Sequence, residues 1–188
     1  MQKREVDTMA QIQVLDSHTA ELIAAGEVVE RPSSVVKELC ENAIDAGAAH
    51  ISVTIRRGGV ELIEVSDDGT GIEAESVPTA VLRHATSKIR TQEDLEVHIK
   101  GSGTTTITVK KLFYNTPARM KFLKKDTSEG NYVSDVVSEL ALAHPEVAFR
   151  FVREGRVQFQ TPGDGQLLGA AYAVLGREFS KDLLEVDG

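Results

Sequence analysis

The stretch 32–47, PSSVVKELCENAIDAG, constrains the architecture of this chain more than any other. Val36, Leu39, Cys40 and Ala43 recur at i, i+3, i+4 and i+7, the spacing that lines apolar side chains along one stripe of an α-helix and turns that stripe toward a core. Pro32 with Ser33 or Ser34 suits the start of this helix, and Gly47 suits its C-terminal stop. Glu38, Asn42 and Asp45 then share the side opposite the stripe, with Glu38 and Asn42 one turn apart. A carboxylate beside a neutral amide suits a metal-bound phosphate. The amide offers a hard oxygen to Mg²⁺ without adding charge, while the carboxylate can orient or deprotonate a water. A helix that merely meets solvent would also carry such a face, so the neighbouring segments must decide.

Those segments read as an alternating α/β chain. Ile12, Val14 and Leu15 form a short extended run, followed by a helix over 19–25 that Asp16 or Ser17 can cap. Ile51, Val53 and Ile55 alternate as in a half-buried strand, and Arg57-Gly58-Gly59 turns the chain back into VELIEVS, which predicts a hairpin. The second strand ends in Asp67-Asp68-Gly69-Thr70-Gly71. Two glycines after an acidic pair let the backbone approach a flat ligand, and Asp67 can accept from an exocyclic amino group such as that of adenine; a plain turn reads the same way.

A helix over 73–85 is predicted next, ending near Thr86-Ser87-Lys88, whose hydroxyls and ammonium suit phosphates without the spacing of a P-loop. Gly101-Ser102-Gly103 reads as a flexible linker before a strand with Ile107 and Val109 alternating. The pattern of Val133, Val136, Val137, Leu140 and Ala141 predicts a helix over 130–144, stopped by Pro145. VAFRFV and RVQFQ make a hairpin across Glu154-Gly155, a short helix covers 167–175, and LLEVDG looks like an edge strand.

Charge and composition narrow the function. A 188-residue chain that is 41% hydrophobic can fill one large domain, or one domain and a fragment. Its formal charge of −8 argues against a surface built throughout for nucleic acid, so any DNA contact should be weak, local and salt-sensitive. The place for it is the stretch 110–125, which carries Lys110, Lys111, Arg119, Lys121, Lys124 and Lys125 in an otherwise acidic sequence. Cys40 is the single cysteine, and on the apolar stripe it reads as a small buried hydrophobe. No apolar run approaches the roughly 18 residues of a membrane span, and the start MQKREVDTMA lacks a signal-peptide core, so a soluble cytoplasmic protein with no membrane partner is expected. Residues 1–8 are expected to be a disordered extension.

Taken in order, AAGEVVERPSSVVKELCENAIDAGA, DDGTGI, RHATSK and LFYNTPAR resemble the N-terminal ATPase region of the MutL family of DNA mismatch repair proteins. That region belongs with the ATPases of DNA gyrase, the large heat-shock chaperones and histidine kinases. The resemblance implies an α/β two-layer sandwich, a mixed and largely antiparallel sheet with helices on one face, that takes ATP and Mg²⁺. It implies Glu38 as general base, Asn42 as Mg²⁺ ligand, Asp67 as the adenine contact, and Gly69 and Gly71 as the lining of the base pocket. Lys88 would reach toward phosphates or ribose, and Thr106, with Thr105 as alternate, would support adenine. Residues 9–155 would form the ATP-binding domain, and 156–188 its end together with the start of a second domain.

The implied activity is a nucleotide-controlled dimerisation switch. Its partners would be ATP, other mismatch repair proteins, DNA, and a second copy of the full-length protein once ATP is bound. The alternative is a non-catalytic module that binds DNA or a repair partner through 110–125. Two departures from the family pattern stand out. The glycine-rich lid that grips the triphosphate at a helix N-terminus is absent between DLEVHIK and TTTITV, where its place is taken by 101–103. Either the lid has been deleted and bridged by Gly101-Ser102-Gly103, or it is a mobile segment whose residues are left out of the sequence; omission is favoured, because lids that clasp phosphates are the least stable part of a structure without ligand. The second departure is the lysine that the family supplies from its second domain, which matches no position.

Overall fold

The computed structural model describes residues 31–70, 95–99, 104–114 and 120–176, with 95–99 described by backbone alone. The expected extension 1–8, the helices over 19–25 and 73–85, the linker 101–103 and the closing strand LLEVDG lie outside the described residues, as do Gly71 and Lys88.

The 32–47 stretch is helical, with α1 spanning Pro32–Asp45. Its N-cap is Arg31 in extended conformation, and no side chain caps the helix, so neither Ser33 nor Ser34 plays the expected part. Pro32 opens the first turn, where its missing N–H costs nothing and its fixed φ suits the helix, and Ser33 is turned inward and buried. At the other end Gly47 sits at φ +72 and donates its N–H to the Ile44 carbonyl at 2.8 Å, so the predicted glycine stop is present.

After α1 come β1 (His50–Arg56), a 3₁₀ turn over Arg57–Gly59, and β2 (Leu62–Asp67), the predicted hairpin. β3 (Leu95–Ile99) and β4 (Thr105–Lys110) form a second antiparallel pair, in which Ile99 opposite Thr105 leaves residues 100–104 as a five-residue connection. Next are α2 (Asp126–Ala143), the hairpin β5 (Ala148–Arg153) and β6 (Arg156–Gln160), and α3 (Leu167–Leu175), which packs on α2. Among the described residues six strands make one sheet in the order β3-β4-β2-β1-β5-β6, antiparallel except where β1 runs parallel to β5.

Strand alternation sends Ile51, Val53, Ile55, Ile63, Val65, Phe149 and Phe151 into a single core with Val36 and Cys40 of α1 and Val133, Val137 and Ala141 of α2. The result is the expected α/β architecture, a mixed sheet with helices. α2 begins at Asp126, four residues before the expected start at Gly130. Ser128 and Glu129 donate to the Lys125 carbonyl at 2.8 and 3.0 Å, which sets the extra turn. Gly130 stays inside the helix because the Arg153 guanidinium lies 2.6 Å from where a Cβ would stand, held by Asn131 and the Thr127 carbonyl.

β2 fixes α1 at both of its ends. In the turn before β2, Gly59 at φ +91 lies so close to Pro32 that a Cβ would meet the proline ring at 2.7 Å. In the loop after β2, a Cβ on Gly69 would stand 2.9 Å from both the side chain and the carbonyl oxygen of Ala46. The Thr70 N–H donates to that same carbonyl at 2.9 Å. The helix is therefore laid along the strand that ends in Asp67, and its C-terminal end stands beside that residue's loop.

Candidate functional site

Asp67 is the last residue of β2 and sits on the helix-covered face, only 8% exposed. The Gly69 N–H donates to its Oδ1 at 3.0 Å, closing the turn. Burial pushes the carboxyl above its ordinary value of 3.8, the Gly69 N–H pulls the other way, and the neighbouring Asp68 charge adds to the rise. Asp67 is a buried acceptor that would gain from a donor on a ligand.

Its neighbour in sequence has a different task. Asp68 Oδ1 accepts from the N–H groups of Ala49 and His50 at 2.8 and 2.7 Å, and Oδ2 lies 2.7 Å from the His50 ring. Partial burial works against its charge, but the His50 and Ala49 donors outweigh it and hold the carboxyl below the usual carboxylate range. Asp68 ties the start of β1 to the end of β2.

Register puts the two candidate threonines on opposite faces of the sheet. Thr105 lies directly opposite Asp67 across β2 and β4, and Thr106 lies opposite Ser66. Cross-strand partners share a face, so Thr105 is on the Asp67 side and Thr106 on the other, where its hydroxyl is 2.9 Å from that of Ser66. Thr105 is 2% exposed, and its Oγ1 is buried without a hydrogen-bond partner. Such an orphan costs about 1–3 kcal/mol while unpaired. The sequence pattern TTTITV left this choice open, because three successive threonines carry no register of their own.

On α1, Glu38 is half-buried and Asn42 exposed, one turn apart on the side away from Val36 and Cys40. Gly69 needs no left-handed backbone. Its requirement for glycine is the closeness of Ala46, which sequence reasoning missed because no local signal reports a long-range contact. Cys40 beneath this face is inert. Burial foremost, then the charges of Glu41 and Asp67, push its thiol up to about 12. Among the described residues no group of three or more His, Cys, Asp or Glu side chains could hold a metal. A divalent ion here would therefore lean on Asn42, on water and on oxygens of the ligand itself, which is how Mg²⁺ is commonly held beside phosphates.

Residues 27–116, which include α1, both central strands, β3 and β4, match the family model described as histidine kinase-, DNA gyrase B- and HSP90-like ATPase. The Aquifex aeolicus MutL ATPase domain, solved in complex with ADP, superposes with a TM-score of 0.65 at 34% identity, covering 79% of this chain and 70% of that one. The chain belongs to the MutL family. It is 44% identical to the DNA mismatch repair protein MutL of Symbiobacterium thermophilum and 41% identical to that of Agathobacter rectalis, each over 95% of this chain. It spans 35% of the length of either relative. The alignment with the Agathobacter MutL runs to 224 positions; because 95% of 188 residues is about 179, about 45 positions of the MutL region have no counterpart here.

Proposed function

We propose that this chain is the ATP-binding and hydrolysing domain of a MutL-type mismatch repair protein, with the base held at the Asp67–Thr105 pair and the phosphates along the polar face of α1. The observation that supports this reading most directly is the buried, unpartnered Thr105 hydroxyl beside a buried carboxylate with one internal hydrogen bond. Asp67 accepts from the adenine amino group, and Thr105 donates to a ring nitrogen next to it. Gly69 lets the loop lie close to the base. Glu38 orients the attacking water and takes its proton, and the Asn42 amide oxygen is the protein's ligand to Mg²⁺. When bound, the ion neutralises charge between phosphate oxygens. Gly71 and Lys88 complete the base pocket and the phosphate side on the strength of the sequence resemblance. Thr106, first choice by motif, is replaced in this role by Thr105 because of the face it occupies.

The missing positions shape the activity. Five residues between Ile99 and Thr105 leave no room there for a lid, and we read the lid as part of the positions that relatives have and this chain lacks. Deletion and omission both give that lack, and in the deleted form the grip on the triphosphate is gone. ATP and ADP then bind weakly and almost equally, and turnover stays near background. In the full-length protein, ATP binding would drive homodimerisation and engagement of other mismatch repair proteins in the cytoplasm. Phosphate release at saturating Mg-ATP, from a parent chain into which the missing segment of a relative has been restored, tests the assignment of the base. Glu38→Ala should remove the parent's turnover, by about a hundredfold or to the assay floor, while ATP binding stays within about twofold of the parent. Hydrolysis by the variant at the parent's rate would remove Glu38 from this role.

A further inference from the structure

The start of α1 has no capping side chain and no acid in its first turn, and its N-cap is a cation, Arg31. A positive charge at the positive end of a helix dipole is unfavourable by itself, so this end gains from an acid placed there by another element. Arg31 reaches toward α2. Its guanidinium lies 4.5 Å from the Tyr132 ring centre, and its Nη1 is 4.0 Å from Oε1 of Glu129. Glu129 and Tyr132 stand three residues apart on one face of α2, so a carboxyl and a ring together fix where the guanidinium sits.

Glu129 is the most deeply buried charged side chain among the described residues, at 0% exposure. Oε1 accepts the Lys124 N–H at 2.8 Å, while Oε2 is buried without a hydrogen-bond partner. The other cations of this corner are engaged elsewhere: Arg57 on Asp126, Arg153 on Asn131 and the Thr127 carbonyl, and Lys124 Nζ on the Tyr132 hydroxyl. A buried carboxyl with one oxygen unused is a poor way to fill space, since an apolar side chain of similar size would stabilise the fold as well or better. Its use is directional. The contact of Gly59 with Pro32 limits how closely α1 approaches the sheet, but an apolar contact leaves the helix free to slide or turn, and a charge pair does not. We infer that Glu129 is a positioning residue for the nucleotide site, acting through Arg31 to hold the first turns of α1, and with them Glu38 and Asn42, in place for the phosphates and their Mg²⁺. This rests on the reading of that helix face given above. Asp67 and Thr105 belong to β2 and β4, so the adenine contact does not pass through the pair.

Two measurements on the 188-residue chain test it together. Glu129→Gln keeps an acceptor for the Lys124 N–H and removes the charge that faces Arg31. In this variant the amides of residues 36–41 should exchange hydrogen about tenfold faster than in the parent, while those of β1 and β2 stay unchanged. Calorimetric titration with adenosine and with Mg-ADP then separates the two halves of the site. Affinity for Mg-ADP should fall by about tenfold, and affinity for adenosine by less than about twofold. Arg31→Met should do the same, and the double variant should be no worse than either single one, because the two side chains act as a unit. Unchanged exchange in α1 overturns the inference, as does a loss in the double variant equal to the product of the single losses. Faster exchange throughout the chain, with both ligands weakened alike, also overturns it and leaves Glu129 a role in stability alone. If α1 loosens as expected but the parent itself binds adenosine and Mg-ADP equally, the phosphate reading of the helix face has failed; the role of Glu129 at the nucleotide site falls with it, while its hold on α1 stands.

Discussion

Asp67 and Thr105 face each other across β2 and β4 on the helix-covered side of the sheet, a carboxylate and a buried hydroxyl with no hydrogen bond between them. Folding has placed an acceptor and an unsatisfied donor side by side in a position that water reaches poorly. A protein seldom leaves a buried hydroxyl unpaired without use for it. The arrangement matches the edge of a base that presents an amino group beside a ring nitrogen.

Thr105→Val keeps the shape of the side chain and removes the orphan. The ligand-free protein should gain about 1 kcal/mol in a denaturant melt, since a buried polar group without a partner is removed. Binding of adenosine nucleotides should weaken by about tenfold in the same variant, the worth of one hydrogen bond made in a desolvated pocket. A loss of stability together with unchanged binding would place the hydroxyl outside the site.

Asp67 should make stability depend on pH in an unusual direction for a carboxylate. Its folded pKa is raised above 3.8 by burial, so between 3.8 and that raised value the folded state binds more protons than the unfolded one. Stability then falls as pH rises through this window. Asp67→Asn removes the effect. Thermal melts should show the variant gaining on the parent as pH climbs above 3.8, with the advantage retained at neutral pH and absent below 3.8. A variant that is less stable at neutral pH than in acid, relative to the parent, would contradict the buried carboxylate described here.

The two glycines that flank β2 should both resist substitution, for a shared reason. Gly69→Ala puts a methyl 2.9 Å from Ala46, and Gly59→Ala puts one 2.7 Å from Pro32 in a left-handed backbone. Each should cost about 1–3 kcal/mol, measured by chemical denaturation, with Gly69→Ala also loosening nucleotide binding as the loop is pushed away from α1. Gly155→Ala, at an open hairpin tip with nothing within 4 Å, should show only the smaller backbone strain of its φ +76.

Cys40 should stay unreactive. With its thiol pushed up to about 12 by burial and two nearby carboxylates, the thiolate is scarce at any pH at which the fold survives. Iodoacetamide at mildly alkaline pH should label the denatured chain fully and the native chain only as fast as it unfolds. Rapid native labelling would mean that α1 is not packed as described.

The strongly patterned parts of the fold could be read from the sequence, and the long-range ones could not. α1, the β1–β2 hairpin, the β5–β6 hairpin across Glu154-Gly155 and α3 all announce themselves through local periodicity and turn residues. The start of α2 did not, because Gly130 looks like a boundary until Arg153 is seen occupying the space beside it. Ser33 and Ser34 suggested a cap by residue type, although Pro32 and the extended Arg31 start the helix without one. At the site, Asp67 and the polar face of α1 were visible as chemistry. The pairing that puts Thr105, and not Thr106, on the face of Asp67 exists only once β4 has a register against β2.

The central claim is an adenine-selective site built on Asp67, and calorimetric titration with Mg-ATP and Mg-GTP addresses it most directly. A carboxylate that accepts from an amino group would face the carbonyl oxygen of guanine, so the parent should prefer ATP over GTP by about a hundredfold. Asp67→Asn should lose most of that preference along with most of the ATP affinity. Equal binding of ATP and GTP by the parent chain, or a preference for ATP that survives in Asp67→Asn, would contradict the account.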